Sequence, residues 1–379
     1  MKICYLANSK GAHEKKWAEY FVNKGHEVSF ISIDSKGNLS NVESMINIDI
    51  YNVPIIYFNN PKIRALSRLF LSFFIKRRIR NKIKKLKPDI IHAHSVQYGF
   101  LASNLLPDIP VVFTPMGSDV IIYAQKYFLY KYMARKAFKG ANIITGDSRL
   151  IQNSGFKIGA RKQKNYIIQN GVDRLIFHDK VEKGIIRKKF NFNSNDKLIL
   201  STRLIIDNSN IKQIIKSFCS LKNENERTFL LLIYSYKDEK YYEIIKKYLQ
   251  KNNLEKNVID IGRVDYEEIP KYIADADIYI SIPKSDSSPK SVYEAMSCGT
   301  PCVISNIEWT NNFIIHQKHA FLTKWENEKK IFYSMKETIY NDKLRDTIIA
   351  NGKKLVSSKI DYHKNMSKME DLMLDEIGK

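Results

Sequence analysis

The sequence predicts an α/β protein with two doubly wound parallel sheets, one after the other in the chain. Three observations carry this. The chain opens with an apolar run, a helix-length segment and a second apolar run, which is a βαβ start. A second series of apolar runs alternating with helical segments begins at Lys197, after a polar, basic stretch over 174–196. Two apolar runs over 277–305 flank one short helix signal, which puts a helix start at the carboxyl end of a strand. At 379 residues there is material for two or three domains with real cores.

Composition bounds the class. Hydrophobic residues at 44% and charged residues at 27% are ordinary for a globular protein. The net charge of +22 is not, and it implies attraction to nucleic acid, anionic lipid or phosphate-bearing substrates. Four cysteines show no disulfide or zinc spacing, so reduced thiols of a cytosolic protein are expected. No signal peptide is expected, because the chain opens directly on a strand-like run. No apolar run approaches the ~18 residues needed to span a bilayer.

Lys2 to Ala7 reads as the first strand, Asn8 to His13 as a loop containing Gly11, and a helix then runs to about Lys24. Glu27 to Ile33 is the second strand. No G-x-G-x-x-G follows the first strand, which argues against a dinucleotide cofactor. Pro61 to Lys87 carries eleven Lys or Arg and no acid. Ile63, Leu66, Phe70, Phe73, Phe74, Ile79, Ile83 and Leu86 within it follow helical spacing. Such a helix either packs its apolar face into a core or lies on an anionic membrane.

Asp89 to His94 is a strand on which His92 and His94 share a face. A metal would need a third ligand, and none is evident. Val111 to Thr114 is a strand ending in a Gly loop. Asp119 in that loop suits the N-cap of a helix over 121–138. Ala141 to Gly146 is a further strand, and Asn170-Gly171-Val172-Asp173 is a turn signal.

In the second series, Arg203 directly follows the strand Lys197 to Thr202. Strands at 229–235, 258–261 and 277–282 come next, and charged amphipathic helices begin near Glu326. In the stretch 285–303, Ser288 suits an N-cap, Pro289 the first helical position and Gly299 the residue past the helix end. The free N–H groups of such a start, around Lys290, Ser291 and Val292, form an anion site. Asp286 lies in the loop before it and Glu294 eight residues further on. Two acids flanking an anion site suit a ligand with phosphates and hydroxyls, such as a nucleotide sugar.

This stretch resembles the donor-binding signature of retaining GT-B glycosyltransferases, especially glycosyltransferase family 4. That signature has two Glu separated by seven residues, then Ala-Met-Ala-Cys-Gly-x-Pro-Val. Here Asp286 takes the first acid's place, and Glu294-Ala295-Met296-Ser297-Cys298-Gly299-Thr300-Pro301 follows. The segment His13 to Phe21 with Gly25 to Val28 looks like the opening of bacterial members. Asn170 to Asp173 is similar to a landmark near the end of their first domain, and 262–274 to the segment beside the nucleotide base.

The resemblance implies two Rossmann-like domains facing across a cleft. The first, 1–178, would bind the acceptor and the second, 179–358, the donor. A helix over 361–377 would cross back to the first. The implied reaction moves a sugar from a nucleoside-diphosphate donor to a hydroxyl of a glycan or lipid-linked glycan, with retention, in cell-surface polysaccharide biosynthesis. Arg203, a nearby lysine and the helix N–H groups would hold the diphosphate. Glu294 would accept from the ribose and Asp286 from the donor sugar. Asp119 or His94 would position the acceptor, and Gly11 and His13 would line the cleft.

Two departures stand out. Asn210 takes the place of the usual diphosphate lysine, leaving Lys290 and Lys212 as replacements, and Met116 stands where many members have His. These departures also allow a GT-B scaffold that binds nucleotide or glycan without turnover. No cofactor and no metal are expected. The expected partners are the nucleotide-sugar donor, the acceptor and an anionic membrane surface through 61–87, not nucleic acid. The expected location is cytoplasmic, at the inner face of the plasma membrane.

Overall fold

The computed structural model describes residues 1–9, 12–33, 48–52, 61–286 and 288–378, with side chains except at 12, 13, 48–50, 52, 61–71 and 312. The chain divides into two compact units. Unit 1 is Met1–Asn170 with His363–Lys379, and unit 2 is Gly171–Tyr362.

Unit 1 holds strands β1 (Lys2–Leu6), β2 (Glu27–Ser32), β3 (Ile48–Asn52), β4 (Ile90–His94), β5 (Val111–Thr114), β6 (Ile143–Gly146) and β7 (Asn165–Ile167). Their order in the sheet is β3-β2-β1-β4-β5-β6-β7, and every pairing is parallel. The order reverses between β1 and β4, which is the topological switch point of a doubly wound sheet. The central strands are continuous apolar runs because helices cover both faces. Cys4, Leu6, Ile31, Ile79 and Ile83 belong to one core cluster, and Val96, Phe113, Phe138 and Ile144 to another.

The basic helix spans Pro61–Leu86. Ile75, Ile79 and Ile83 are buried, so this part of its apolar stripe belongs to the core rather than to a free face. Phe73 and Phe74 remain 69% and 62% exposed. The helix expected over 121–138 is interrupted. A π-turn over Asp119–Tyr123 and a short helix Ala124–Lys126 precede an extended Tyr127 (φ −115°, ψ 120°), and Phe128–Gly140 is the main helix.

Unit 2 holds β8 (Lys197–Ser201), β9 (Thr228–Ile233), β10 (Val258–Gly262), β11 (Ile278–Ser281), β12 (Cys302–Ser305) and β13 (Phe321–Thr323). The order is β10-β9-β8-β11-β12-β13, again all parallel, with the switch point between β8 and β11.

The unit boundary falls at Gly171 rather than near 178. Val172 donates its N–H to Ile360 O at 2.7 Å, and Tyr362 donates to Val172 O at 3.0 Å. Two passes of the chain therefore meet within unit 2. Gly171 sits at φ +72°, and a Cβ there would lie 2.6 Å from Tyr362 Cα, so the crossing requires glycine. The polar, basic stretch 174–196 belongs to unit 2. Phe177 and Ile186 are in its core, and the Asp275 carboxylate accepts from the N–H groups of Ile186 and Arg187 at 2.7 and 3.1 Å.

The helix Tyr362–Ile377 completes unit 1. Glu370 accepts from Tyr20 Oη at 3.0 Å and pairs with His26 Nε2 at 2.7 Å. Glu376 pairs with Lys164 at 2.6 Å. All four cysteines are free, and burial pushes the Cys4 and Cys298 thiols up to about 12, which leaves them inert.

Candidate functional site

The switch point of unit 2 gathers the acids and cations singled out above. Arg203 follows β8 and Asp286 lies in the loop after β11, on the two central strands. Their side chains meet: Arg203 Nη2 is 2.8 Å from Asp286 Oδ2, and each is less than a fifth exposed. The same two loops are clasped twice more. Asn208 Nδ2 donates to Ser285 O at 3.0 Å while Ser285 Oγ donates to Asn208 Oδ1 at 3.1 Å. Lys284 pairs with Asp207.

The helix after this loop runs Lys290–Ser297. Pro289 is its N-cap in extended conformation (φ −72°, ψ 113°), one position later than Ser288. This shift matters for the anion site. Val292 donates its N–H to Pro289 O at 3.2 Å, so Val292 is spent within the turn. The amides of Lys290 and Ser291 precede that bond and have no acceptor inside the helix. Gly299 ends the helix at φ +80°. Ser291 and Thr202 both reach the buried Tyr279 hydroxyl, Thr202 at 2.8 Å.

Glu294 is buried at 5% exposure. A buried carboxylate needs donors. Tyr266 Oη donates to Glu294 Oε1 at 2.9 Å, and Lys290 Nζ is 3.2 Å from the same oxygen. Lys290 also donates to Tyr266 Oη at 2.5 Å. Burial, then the Glu294 charge, pushes the Tyr266 hydroxyl far up, so it stays a neutral donor. Lys290 is thus engaged with Glu294 rather than free for a phosphate.

Asn210 does not act as a lysine substitute. It sits at φ +59° as the N-cap of the helix Ile211–Glu224, and its amide donates to Trp325 O at 2.9 Å. Lys212 lies two residues on, with its N–H donated to Tyr241 Oη at 3.0 Å, and its side chain enters no ion pair among the described residues. Gly11 and the His13 side chain lie outside the described residues.

In unit 1, Asp119 and His94 both turn inward. Asp119 is buried and accepts from Val96 N at 2.9 Å and from Met116 N at 3.1 Å. It ties the loop after β5 to the turn after β4, where Ser95 has φ +71°. Burial raises its carboxyl pKa, opposed by those backbone N–H bonds. His94 is 1% exposed, and its Nε2 lies 3.1 Å from His92 Nε2. His92 reaches Thr114 Oγ1 at 2.8 Å, and Thr114 reaches Thr145 at 2.6 Å, a buried polar chain across β4, β5 and β6. Both side chains are buried near the switch point of unit 1, and Asp119 holds the loops there. Among the described residues, no group of three or more His, Cys, Asp or Glu is placed to hold a metal ion.

Two contacts at the site escaped sequence reasoning, Tyr266 with Glu294 and Asn208 with Ser285. Tyr266 lies 28 residues from Glu294, and Asn208 lies 77 residues from Ser285. No local pattern links either pair. An anion-binding helix start, a cation and two carboxylates at one switch point suit a ligand that joins phosphates to hydroxyls.

A family model described as "Glycosyl transferases group 1" matches residues 182–355, and one described as "Glycosyl transferase 4-like" matches 2–148. The chain belongs to the group 1 glycosyltransferases. This glycosyltransferase is 21% identical over 309 residues to the UDP-Gal:alpha-D-GlcNAc-diphosphoundecaprenol alpha-1,3-galactosyltransferase of Escherichia coli, covering 78% of this chain and 77% of that one. It is 18% identical over 328 residues to the N-acetyl-alpha-D-glucosaminyl L-malate synthase of Bacillus anthracis, covering 84% and 81%. Among solved structures, sucrose-phosphate synthase from Thermosynechococcus elongatus superposes with a TM-score of 0.82 at 14% identity, over 100% of this glycosyltransferase and 99% of that chain. Anabaena HepE in complex with UDP gives 0.77 at 15% identity, over 99% and 100%. The fold is GT-B, with two Rossmann-like units.

Proposed function

We propose that the protein transfers a hexosyl group from a nucleoside-diphosphate sugar to a hydroxyl of a glycan or lipid-linked glycan, with retention and without a metal. The carrying observation is the grouping of Arg203, Asp286 and Glu294 around the start of the helix Lys290–Ser297. Negative charge grows on the diphosphate as the glycosidic bond breaks. Arg203 and the Lys290 and Ser291 amides stabilise it as fixed dipoles and charge, which is electrostatic preorganisation. Lys212 supplies the second cation, since Lys290 is committed to Glu294. Glu294 accepts from the ribose, and Asp286 from the donor sugar. The leaving phosphate takes the acceptor proton, so no side-chain base is required. Asp119 positions the acceptor indirectly, through the loops it holds in unit 1, and His94 through the buried polar chain at the end of its strand.

Relatives named for transfer to a diphosphoundecaprenol-linked sugar and for alpha-monoglucosyldiacylglycerol synthesis support a lipid-linked or glycan acceptor and surface-polysaccharide synthesis. An acceptor of that kind supports a peripheral location at the inner face of the plasma membrane, with the basic helix Pro61–Leu86 against anionic lipid. No helix among the described residues is long and apolar enough to cross a membrane. The non-catalytic scaffold reading is not favoured, because both matching family models describe transferases.

The test is calorimetric titration of UDP, GDP, ADP and CMP into the wild type and Glu294→Ala. UDP comes first because HepE was solved with it. One nucleoside diphosphate should bind, and the substitution should weaken it by ~1 kcal/mol or more. Absence of binding by any of them to the folded protein rejects the donor site.

A further inference from the structure

Unit 1 carries a second basic, aromatic surface that the transfer reaction does not use. Neither 61–88 nor 120–146 contains an acidic residue. The structure joins these two stretches across the helix Ser95–Ala102. Lys76 Nζ stands 4.7 Å from the Phe100 ring centroid, and the Phe100 and Tyr132 centroids are 6.3 Å apart. Lys136 Nζ lies over Tyr132 at 5.6 Å. Phe73, Lys76 and Arg80 lie three and four residues apart on one helix face, and Phe128, Tyr132 and Lys136 lie four apart on the other. Lys76, Phe100, Tyr132 and Lys136 are therefore contiguous, with Phe73 and Phe128 at the rim.

The rim is apolar and open. Phe128 is 84% exposed, and Ile122, Tyr123 and Tyr127 just before it are exposed as well. The cations are crowded. Lys76 Nζ donates to Ser103 O at 3.1 Å and Arg80 Nε to Leu105 O at 2.9 Å, while burial, then Lys136 and Arg80, lowers the Lys76 pKa; no carboxylate among the described residues pairs with any of the three. Like charges brought together without an acid leave a place for an external anion. Large aromatic side chains left in water beside that place mark an interaction surface.

We propose that Phe73, Lys76, Arg80, Phe128, Tyr132 and Lys136 form one docking face for an anionic phospholipid bilayer, with the two phenylalanines entering the interface and the three cations holding headgroup phosphate. This extends the peripheral-membrane reading above, on which it rests, from one helix to a surface built from two. The pairing of aromatic rims with cations fits a bilayer, whose interface offers apolar and anionic layers at neighbouring depths.

The test uses the full chain and vesicle sedimentation. The vesicles are pure phosphatidylcholine or about one third phosphatidylglycerol, at low and high salt. The wild type should bind only the anionic vesicles, and less so at high salt. Phe128→Ala and Lys136→Gln should each weaken binding about fivefold, although both lie outside 61–87, and should leave nucleoside-diphosphate binding unchanged. Phe128→Trp should show a blue-shifted emission on adding anionic vesicles only. Wild-type binding that survives both substitutions overturns the second element and leaves the basic helix as the contact. A wild type that binds neither vesicle overturns the peripheral reading too, without touching the donor site, which the titration reads separately. Equal affinity for a single-stranded oligonucleotide overturns the lipid as occupant.

Discussion

Arg203 and Asp286 hold each other at 2.8 Å across the loops that follow the two central strands of unit 2. Each is assigned to a different part of the donor, so binding must redistribute this pair. Asp286→Asn frees the arginine. It should bind the plain nucleoside diphosphate at least as tightly as wild type while losing sugar transfer. Arg203→Ala should lose ~1.5–3 kcal/mol of diphosphate affinity. Calorimetry with the bare nucleotide, beside a transfer assay, reads both. An Asp286→Asn protein that loses nucleotide affinity as strongly as Arg203→Ala contradicts the assignment.

On the proposed assignment, Lys290 holds Glu294 and Lys212 holds the diphosphate. Lys290→Gln leaves the buried Glu294 with one donor fewer and should cost ~1–3 kcal/mol of stability. Lys212→Gln should leave stability within ~0.5 kcal/mol but weaken diphosphate binding. Urea unfolding and calorimetry on the two variants decide. A reversed pattern would return the diphosphate to Lys290.

Gly171 is a backbone position first. Gly171→Ala must place a Cβ 2.6 Å from Tyr362 Cα at φ +72°. The expected loss is ~2 kcal/mol or more, read as a lower urea midpoint. A midpoint unchanged from wild type would show that the crossing can spread.

Acid should weaken unit 1 through His92. Burial, then His94, holds its pKa well below the ordinary 6.5. The unfolded chain therefore takes up this proton at a higher pH than the folded one. Stability contributed by neutral His92 is full above pH 6.5 and falls as pH drops below it. His92→Gln should flatten melting temperature against pH between about 6.5 and 5. An identical slope in wild type and variant would place the acid sensitivity elsewhere.

The strands and the signature helix were legible because their causes are local. Apolar runs such as Ile278–Ser281 need two covered faces, and Gly299 needs a left-handed backbone. What escaped was decided by distant partners. The Asn210 side chain is held by Trp325 O, far along the chain, which takes its amide. Asp119 turned inward because the Val96 N–H arrives from the turn after the preceding strand. The apolar stripe of the helix Pro61–Leu86 splits between two environments. Ile79 and Ile83 go to the core and Phe73 to the surface, and periodicity alone does not separate the two.

The return of the helix Tyr362–Ile377 to unit 1 has a consequence for the order of synthesis. The partners of His26 and Lys164 leave the ribosome only after all of unit 2. Unit 2 is continuous and is free to fold as soon as it emerges. Unit 1, though translated first, waits for Glu370 and Glu376 and is the last to be finished.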